Sequence, residues 1–234
     1  MTPNEFSHEW YRIFLDPISA ENTGAEIEFV ARQLPPAEFP ALLDVCCGPG
    51  RHAGALAARG YNVLGVDVNA DAIARARAAV PGAEFRVLDM RELDSLDRRF
   101  DAVTNLWHSF GYFDDATNER VLAAMAARLR PGGRLLLDVY NREHFQRQPA
   151  EEIGERGGVR IRTLRSWRGP RLRVELDYDG APGDRFEWRL YTPDELARVL
   201  ETQGLRVRLA SAWFRETLAP GPEHARMQFV AERS

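Results

Sequence analysis

The sequence predicts an α/β protein built on a parallel sheet with helices on both faces. Three observations predict it. Ala41-Leu42-Leu43-Asp44-Val45-Cys46-Cys47-Gly48-Pro49-Gly50 is a short apolar run ending in an acid and small residues, and an Ala-rich helical stretch from Arg51 to Arg59 follows it. Apolar runs and helical spacings then alternate up to Tyr140, the pattern of a doubly wound sheet. After Gly158 the apolar period drops to two, which adds an antiparallel layer.

In chain order, residues 1–34 carry Phe6, Trp10, Tyr11 and Phe14 ahead of the first core strand. Glu26 to Leu34 has helical spacing, with Ile27, Val30, Ala31 and Leu34 on one face, and Pro35-Pro36 ends it. The expectation is two helices lying across the ligand cleft as a cap over residues 1–40. The first strand, 41–46, leads through helix 51–59 and the turn at Gly60 to strand 61–67. Asn69 caps helix 70–79, Pro81-Gly82 stops it, and strand 83–88 follows. Strand 100–106 precedes Trp107-His108-Ser109-Phe110-Gly111-Tyr112-Phe113; helix 115–130 and strand 134–140 come next.

Between 158 and 191, Val159, Ile161 and Thr163, then Leu172, Val174, Leu176 and Tyr178, then Phe186, Trp188 and Leu190 alternate with charged residues. These predict three antiparallel strands on the substrate side. Thr192-Pro193-Asp194-Glu195 is a capping box with Pro at the first helical position, so a helix runs to about Gln203. Strands at 205–212 and 227–231 complete a core made of residues 41–157 and 192–234.

Composition excludes several chemistries. A formal charge of −4 gives no general attraction to nucleic acid or to an anionic membrane. The Arg residues between 156 and 173 fit the solvated face of alternating strands. No stretch is long and apolar enough to predict a membrane span, and residues 1–30 lack a signal-peptide pattern, so the cytoplasm is expected. Cys46 and Cys47 are adjacent and have no partners elsewhere, and the five His residues show no zinc spacing; no metal is expected. All 31 basic residues are Arg. That removes Schiff-base and phosphate-loop lysines and the Tyr-x-x-x-Lys pair of short-chain dehydrogenases.

Gly48 and Gly50 let the backbone turn sharply against a ligand at a helix N-terminus. Gly48-x-Gly50-x-x-Ala53 with Asp67 downstream satisfies a loose dinucleotide pattern and leaves a nicotinamide oxidoreductase open. Asp44 and Asp89 are extra carboxylates that a nicotinamide site does not require.

With Leu43 to Gly50, Gly65-Val66-Asp67, Leu88-Asp89-Met90, Phe100-Asp101-Ala102-Val103 and Leu129 to Asp138, the chain resembles the class I S-adenosylmethionine (SAM)-dependent methyltransferases of the small-molecule type. Cys46 stands where the family usually has Gly. The resemblance implies a Rossmann-like doubly wound sheet of seven strands, the last antiparallel, with SAM as cofactor. It implies transfer to N or O of a small-molecule acceptor by a monomer or homodimer; a catalytically silent SAM-fold binding protein is the non-enzymatic alternative.

On this resemblance Asp67 accepts the ribose hydroxyls, Asp89 accepts from the adenine amino group between Val68 and Met90, and Asp44 orders the loop and holds the cofactor's amino group. Cys46, Gly48, Gly50, Asn105 and Leu106 complete the cofactor set. Methyl transfer is a direct displacement, so the protein mainly aligns a nucleophile and removes water. His108 is the candidate base for a hydroxyl acceptor; Tyr11, Tyr112 and Tyr140 are further candidate contacts.

Overall fold

The computed structural model describes residues 4–234; residues 1–3, part of the expected cap, lie outside the described residues. A short helix α1 (His8–Trp10) runs into a π-helical turn, Tyr11–Leu15, and α2 (Ala20–Gln33) follows. The core then alternates β1 (Ala41–Val45), α3 (Arg51–Ala57), β2 (Asn62–Asp67), α4 (Ala70–Ala79), β3 (Glu84–Val87), β4 (Phe100–Asn105), α5 (Asp115–Arg128) and β5 (Leu129–Tyr140). After α6 (Arg142–Phe145) come β6 (Glu151–Arg156), β7 (Val159–Arg168), β8 (Arg171–Tyr178) and β9 (Ala181–Arg189). The chain ends with α7 (Pro193–Thr202), β10 (Leu205–Ala212) and β11 (Arg226–Arg233). Among the described residues no helix is long and apolar enough to cross a membrane.

The main sheet has seven strands in the order β10-β11-β5-β4-β1-β2-β3, with β11 antiparallel to β5 and β10. The chain leaves β1 toward β3 and returns to place β4 on the other side of β1. The loops after β1 and β4 therefore diverge at this switch point and leave a crevice between them. Alternation fills both faces. Leu43, Val45, Val103 and Leu135 pack with α5 and α7, while Leu42, Val63, Ala102 and Leu136 pack with α2 and α3.

Two expectations need correction. First, α2 does not lie across the cleft: Ile27, Phe29, Val30 and Leu34 are fully buried against Leu42, Leu56 and Tyr61 on the sheet face. It also starts earlier than its apolar face, because Ser19 caps it by accepting from the Asn22 N–H at 3.0 Å. The parts of the N-terminal segment that reach the cleft are residues 4–6 and the turn at residues 8–15, the latter through Trp10, Tyr11 and Leu15. Second, the antiparallel sheet has four strands, in the order β6-β7-β8-β9. β6 is exposed on both faces, so Glu151-Glu152-Ile153-Gly154-Glu155-Arg156 has no apolar alternation to show; register with β7 defines it.

The N-terminal turn belongs to this second sheet rather than to the core. Ile13 is buried with Ile161, Leu172, Leu176 and Trp188. Asn4 bonds the edge strand β9 through its N–H to Arg185 O (3.0 Å) and its side chain to Glu187 (3.0 and 3.1 Å). The buried Asp184 carboxylate accepts from the Ser7 N–H (3.0 Å), the Ser7 hydroxyl (2.7 Å) and the Tyr178 hydroxyl (2.7 Å). Asp184→Ala strands these donors and should lower stability by about 2 kcal/mol or more in thermal or urea unfolding. An unchanged melting temperature would remove Asp184 as the anchor.

A candidate cofactor cavity and its neighbouring chamber

The crevice at the switch point holds a cavity of about 880 Å³. Its floor is the loop after β1. Cys46 takes φ 61°, the left-handed conformation that glycine adopts without strain, which gives the physical reason for Gly being usual there. Its Sγ lies 3.6 Å from Met90 Sδ. Burial, and then the carboxylates of Asp67, Asp44 and Asp89, push the Cys46 pKa up, so it is a thiol and not a nucleophilic thiolate. A Cβ at Gly48 would meet nothing within 4 Å, so open space borders the loop there.

Asp67 stands at the end of β2 and accepts the Gly48 N–H and the Asn69 N–H, both at 2.9 Å. Burial pushes its pKa up against these bonds. One lone pair on each oxygen remains for a ligand hydroxyl. Asp89 is held by Arg91, whose Nε lies 3.0 Å from both oxygens and whose bond keeps the carboxyl pKa low. Val68, Met90 and Leu106 supply apolar wall, and Tyr11 and Tyr112 also line the cavity.

Four of the anticipated residues stand elsewhere. Asp44, only 2% exposed, accepts the Thr104 hydroxyl at 2.9 Å on one oxygen and has no partner on the other. It bonds no loop amide; burial raises its pKa to about 7. Asn105 is turned away, donating to Val45 O at 2.9 Å, and supports the loop from below. Gly50 is the left-handed cap of α3 (φ 85°), behind the lining. His108 faces a second chamber of about 660 Å³ under the antiparallel sheet. Its ring stacks on Tyr140 at 3.7 Å, and burial pushes its pKa down to about 3, so the imidazole is neutral. The two spaces share Phe6, Trp10 and Trp107 as lining, with the two Trp rings edge to face at 6.2 Å.

A buried charge network sets this partition. Asp138, fully buried on β5, accepts the Trp107 N–H (3.0 Å), Gln228 Nε2 (2.8 Å) and Arg226 Nη2 (2.5 Å). Its carbonyl accepts the His108 N–H at 3.1 Å. Arg226 Nη1 continues to Glu26 Oε1 on α2 (2.9 Å), and Glu26 Oε2 takes Arg51 Nη1 and His52 Nε2, both at 2.8 Å. Arg51 in turn lies over the Trp107 ring, 5.1 Å from its centroid. Burial disfavours both carboxylates, but the hydrogen bonds and guanidinium charges outweigh it and hold Glu26 and Asp138 below the usual carboxylate range.

Sequence reasoning missed Arg91, Trp107, Arg171 and Glu187 in the cofactor cavity, together with this network. Arg91 had a signal, since it follows Asp89-Met90 in a motif already singled out. Arg226 had none, because its partner Glu26 is 200 residues away.

Asp138→Ala leaves Arg226 buried with one carboxylate and the Trp107 N–H without its acceptor, and should cost roughly 3–5 kcal/mol in urea unfolding near neutral pH. Depressed carboxyl pKa values stabilise above the unfolded value of about 4 and lose that effect as pH falls, so the deficit should shrink in acid. A loss below ~1 kcal/mol, or one independent of pH, would contradict the network's role.

Comparisons with known proteins bear on the family and the fold. A family profile described as "Methyltransferase domain" matches residues 42–133. The dTDP-3-amino-3,6-dideoxy-alpha-D-glucopyranose N,N-dimethyltransferase of Streptomyces fradiae is 32% identical over 71% of this chain and 70% of its own length. A SAM-dependent methyltransferase structure from Clostridium acetobutylicum shares the fold at a TM-score of 0.80, with 16% identity and 97% of each chain covered. A SAM-bound amino pentose methyltransferase from Micromonospora echinaspora does so at 0.70, with 24% identity, over 92% of this chain and 90% of that one. The nicotinamide alternative is thereby set aside, and the chain belongs to the class I SAM-dependent methyltransferase family.

Proposed function

We propose that this methyltransferase acts on an amine nitrogen of a small molecule, with SAM in the cavity over Asp67 and the acceptor in the chamber beneath the antiparallel sheet. In this reading residues 41–157 and 192–234 form the SAM-binding core, 158–191 with β6 wall the acceptor, and the turn at 8–15 covers the junction. Asp67 takes the ribose hydroxyls, Asp89 the adenine amino group between Val68 and Met90, and Cys46 and Gly48 border the methionine end. The unpartnered oxygen of Asp44 is the structural feature that fits a cationic amino group beyond the loop.

SAM supplies an electrophilic methyl on a sulfonium. What the chain adds is alignment and exclusion of water. Trp10 and Trp107 stand between the two spaces and shield their junction. The observation that favours nitrogen over oxygen is the state of the titratable rings. Burial keeps His108 at about 3 and pushes His52 down, while it raises Tyr11 and Tyr112, so none of them takes a proton near neutral pH. A hydroxyl gains from a base that none of these rings supplies; a neutral amine attacks without one. The Streptomyces fradiae relative, an N,N-dimethyltransferase by name, supports the same choice.

Single-turnover transfer from methyl-labelled SAM to a panel of small amines and alcohols tests this. Asp67→Ala should weaken SAM binding by roughly 2–4 kcal/mol through lost charge-assisted bonds. With an amine acceptor, His108→Ala should change turnover by less than about tenfold. A pH-dependent loss of ~10² in His108→Ala with an alcohol acceptor would instead establish oxygen transfer with His108 as base.

A further inference from the structure

The chamber of about 660 Å³ has a composition that defines its occupant more narrowly than "small molecule". Its walls are aromatic: Tyr140, Phe186 and Trp188 face it, with Trp188 stacked on Phe186 at 5.3 Å and set edge-on to Tyr140 at 5.8 Å. Leu172 and Val174 add apolar surface. Such walls favour a flat ring.

The charged groups at the chamber are mostly spent on each other. Arg165 is paired with Glu152 at 2.7 Å, and Arg226 with Glu26 and Asp138. Arg156 differs. Among the described residues it has no carboxylate within 4.0 Å and no side-chain hydrogen bond, and its guanidinium lies over the Phe14 ring at 4.9 Å. Glu155 also borders the chamber, but alternation along β6 puts its side chain on the opposite face from Arg156. One cation without an ion-pair partner among the described residues therefore stands at the exposed rim of an aromatic-walled space.

We infer that the chamber takes a flat-ringed acceptor carrying a single anionic group, the ring against Trp188 and Tyr140 and the anion at Arg156. This deepens the proposed function and rests on it. A planar guanidinium matches a carboxylate fork, whereas a diphosphate needs several cations that the chamber does not offer. The expected acceptor is thus an amine-bearing ring with one acid group, which distinguishes this chain from its nucleotide-sugar relative.

The test uses the full chain saturated with S-adenosylhomocysteine, and two probes of one shape, 2-naphthoate and neutral 2-naphthamide, titrated calorimetrically. The wild type should bind the naphthoate about tenfold more tightly than the naphthamide. Arg156→Gln should reduce that preference to about threefold or less, Arg156→Lys should keep most of it, and Arg160→Gln, at an exposed position away from the chamber, should leave it unchanged. Equal affinity of the two probes in the wild type, or a preference that survives Arg156→Gln, overturns the inference. So does naphthoate that S-adenosylhomocysteine displaces, since it would then lie in the cofactor cavity. The prior titration of S-adenosylhomocysteine separates the two claims: no binding there overturns the functional reading as well, whereas normal binding without probe discrimination overturns this inference alone.

Discussion

The ion pair between Asp138 and Arg226 is the interaction on which the site depends. A carboxylate with no solvent exposure is tolerable only when its charge is matched and its lone pairs are filled, and Asp138 meets both conditions with Arg226, Gln228 and the Trp107 N–H. Because Arg226 also reaches Glu26, the pair ties strand β11, strand β5 and helix α2 together behind the crevice. Glu26 extends the tie to Arg51 and His52 at the start of α3. Packing alone would leave these elements free to slide by small amounts. Directional bonds to buried charges do not.

That rigidity is used to hold unfavourable backbone. Trp107 and His108 both have φ 66°, and Trp213 and Phe214 have φ 53° and 56°. For side chains of this size each such residue costs roughly 1–2 kcal/mol, so some other interaction has to hold it in place. Asp138 accepts the Trp107 N–H, and its partner Gln228 accepts the Phe214 N–H at 2.8 Å through Oε1. One buried Asp–Gln pair thus fixes two strained turns, and Trp107 and Trp213 from those turns line the aromatic chamber. Of the two turns, the one at Trp107 lies where the two cavities meet.

What the sequence disclosed and what it hid follow from the range of the interactions. Strand ends carrying Asp44, Asp67 and Asp89 were legible because apolar runs, glycine turns and acids are local patterns. The count of seven strands and the antiparallel last one came from resemblance, whereas their order is visible only in the folded chain. β6 escaped because an exposed edge strand has no buried face to impose alternation. The position of α2 was misjudged because an amphipathic face says that a helix packs, not against what. His108 was correctly placed after β4, but its chemistry depends on burial by Tyr140 and on Asp138 behind it, neither of which has a sequence signature. The Asp138–Arg226–Glu26 chain needs residues from three distant segments, so only the folded chain reveals it.

The claim that most of the account rests on is that the crevice between the loops after β1 and β4 is the cofactor site. Electron density from crystals grown with S-adenosylhomocysteine measures it most directly. The account predicts a nucleoside with its ribose hydroxyls on Asp67, its base between Val68 and Met90 with the amino group toward Asp89, and its sulfur facing the Trp10–Trp107 partition. Density for the nucleoside in the chamber walled by Tyr140 and Trp188, or away from Asp67 altogether, would contradict it.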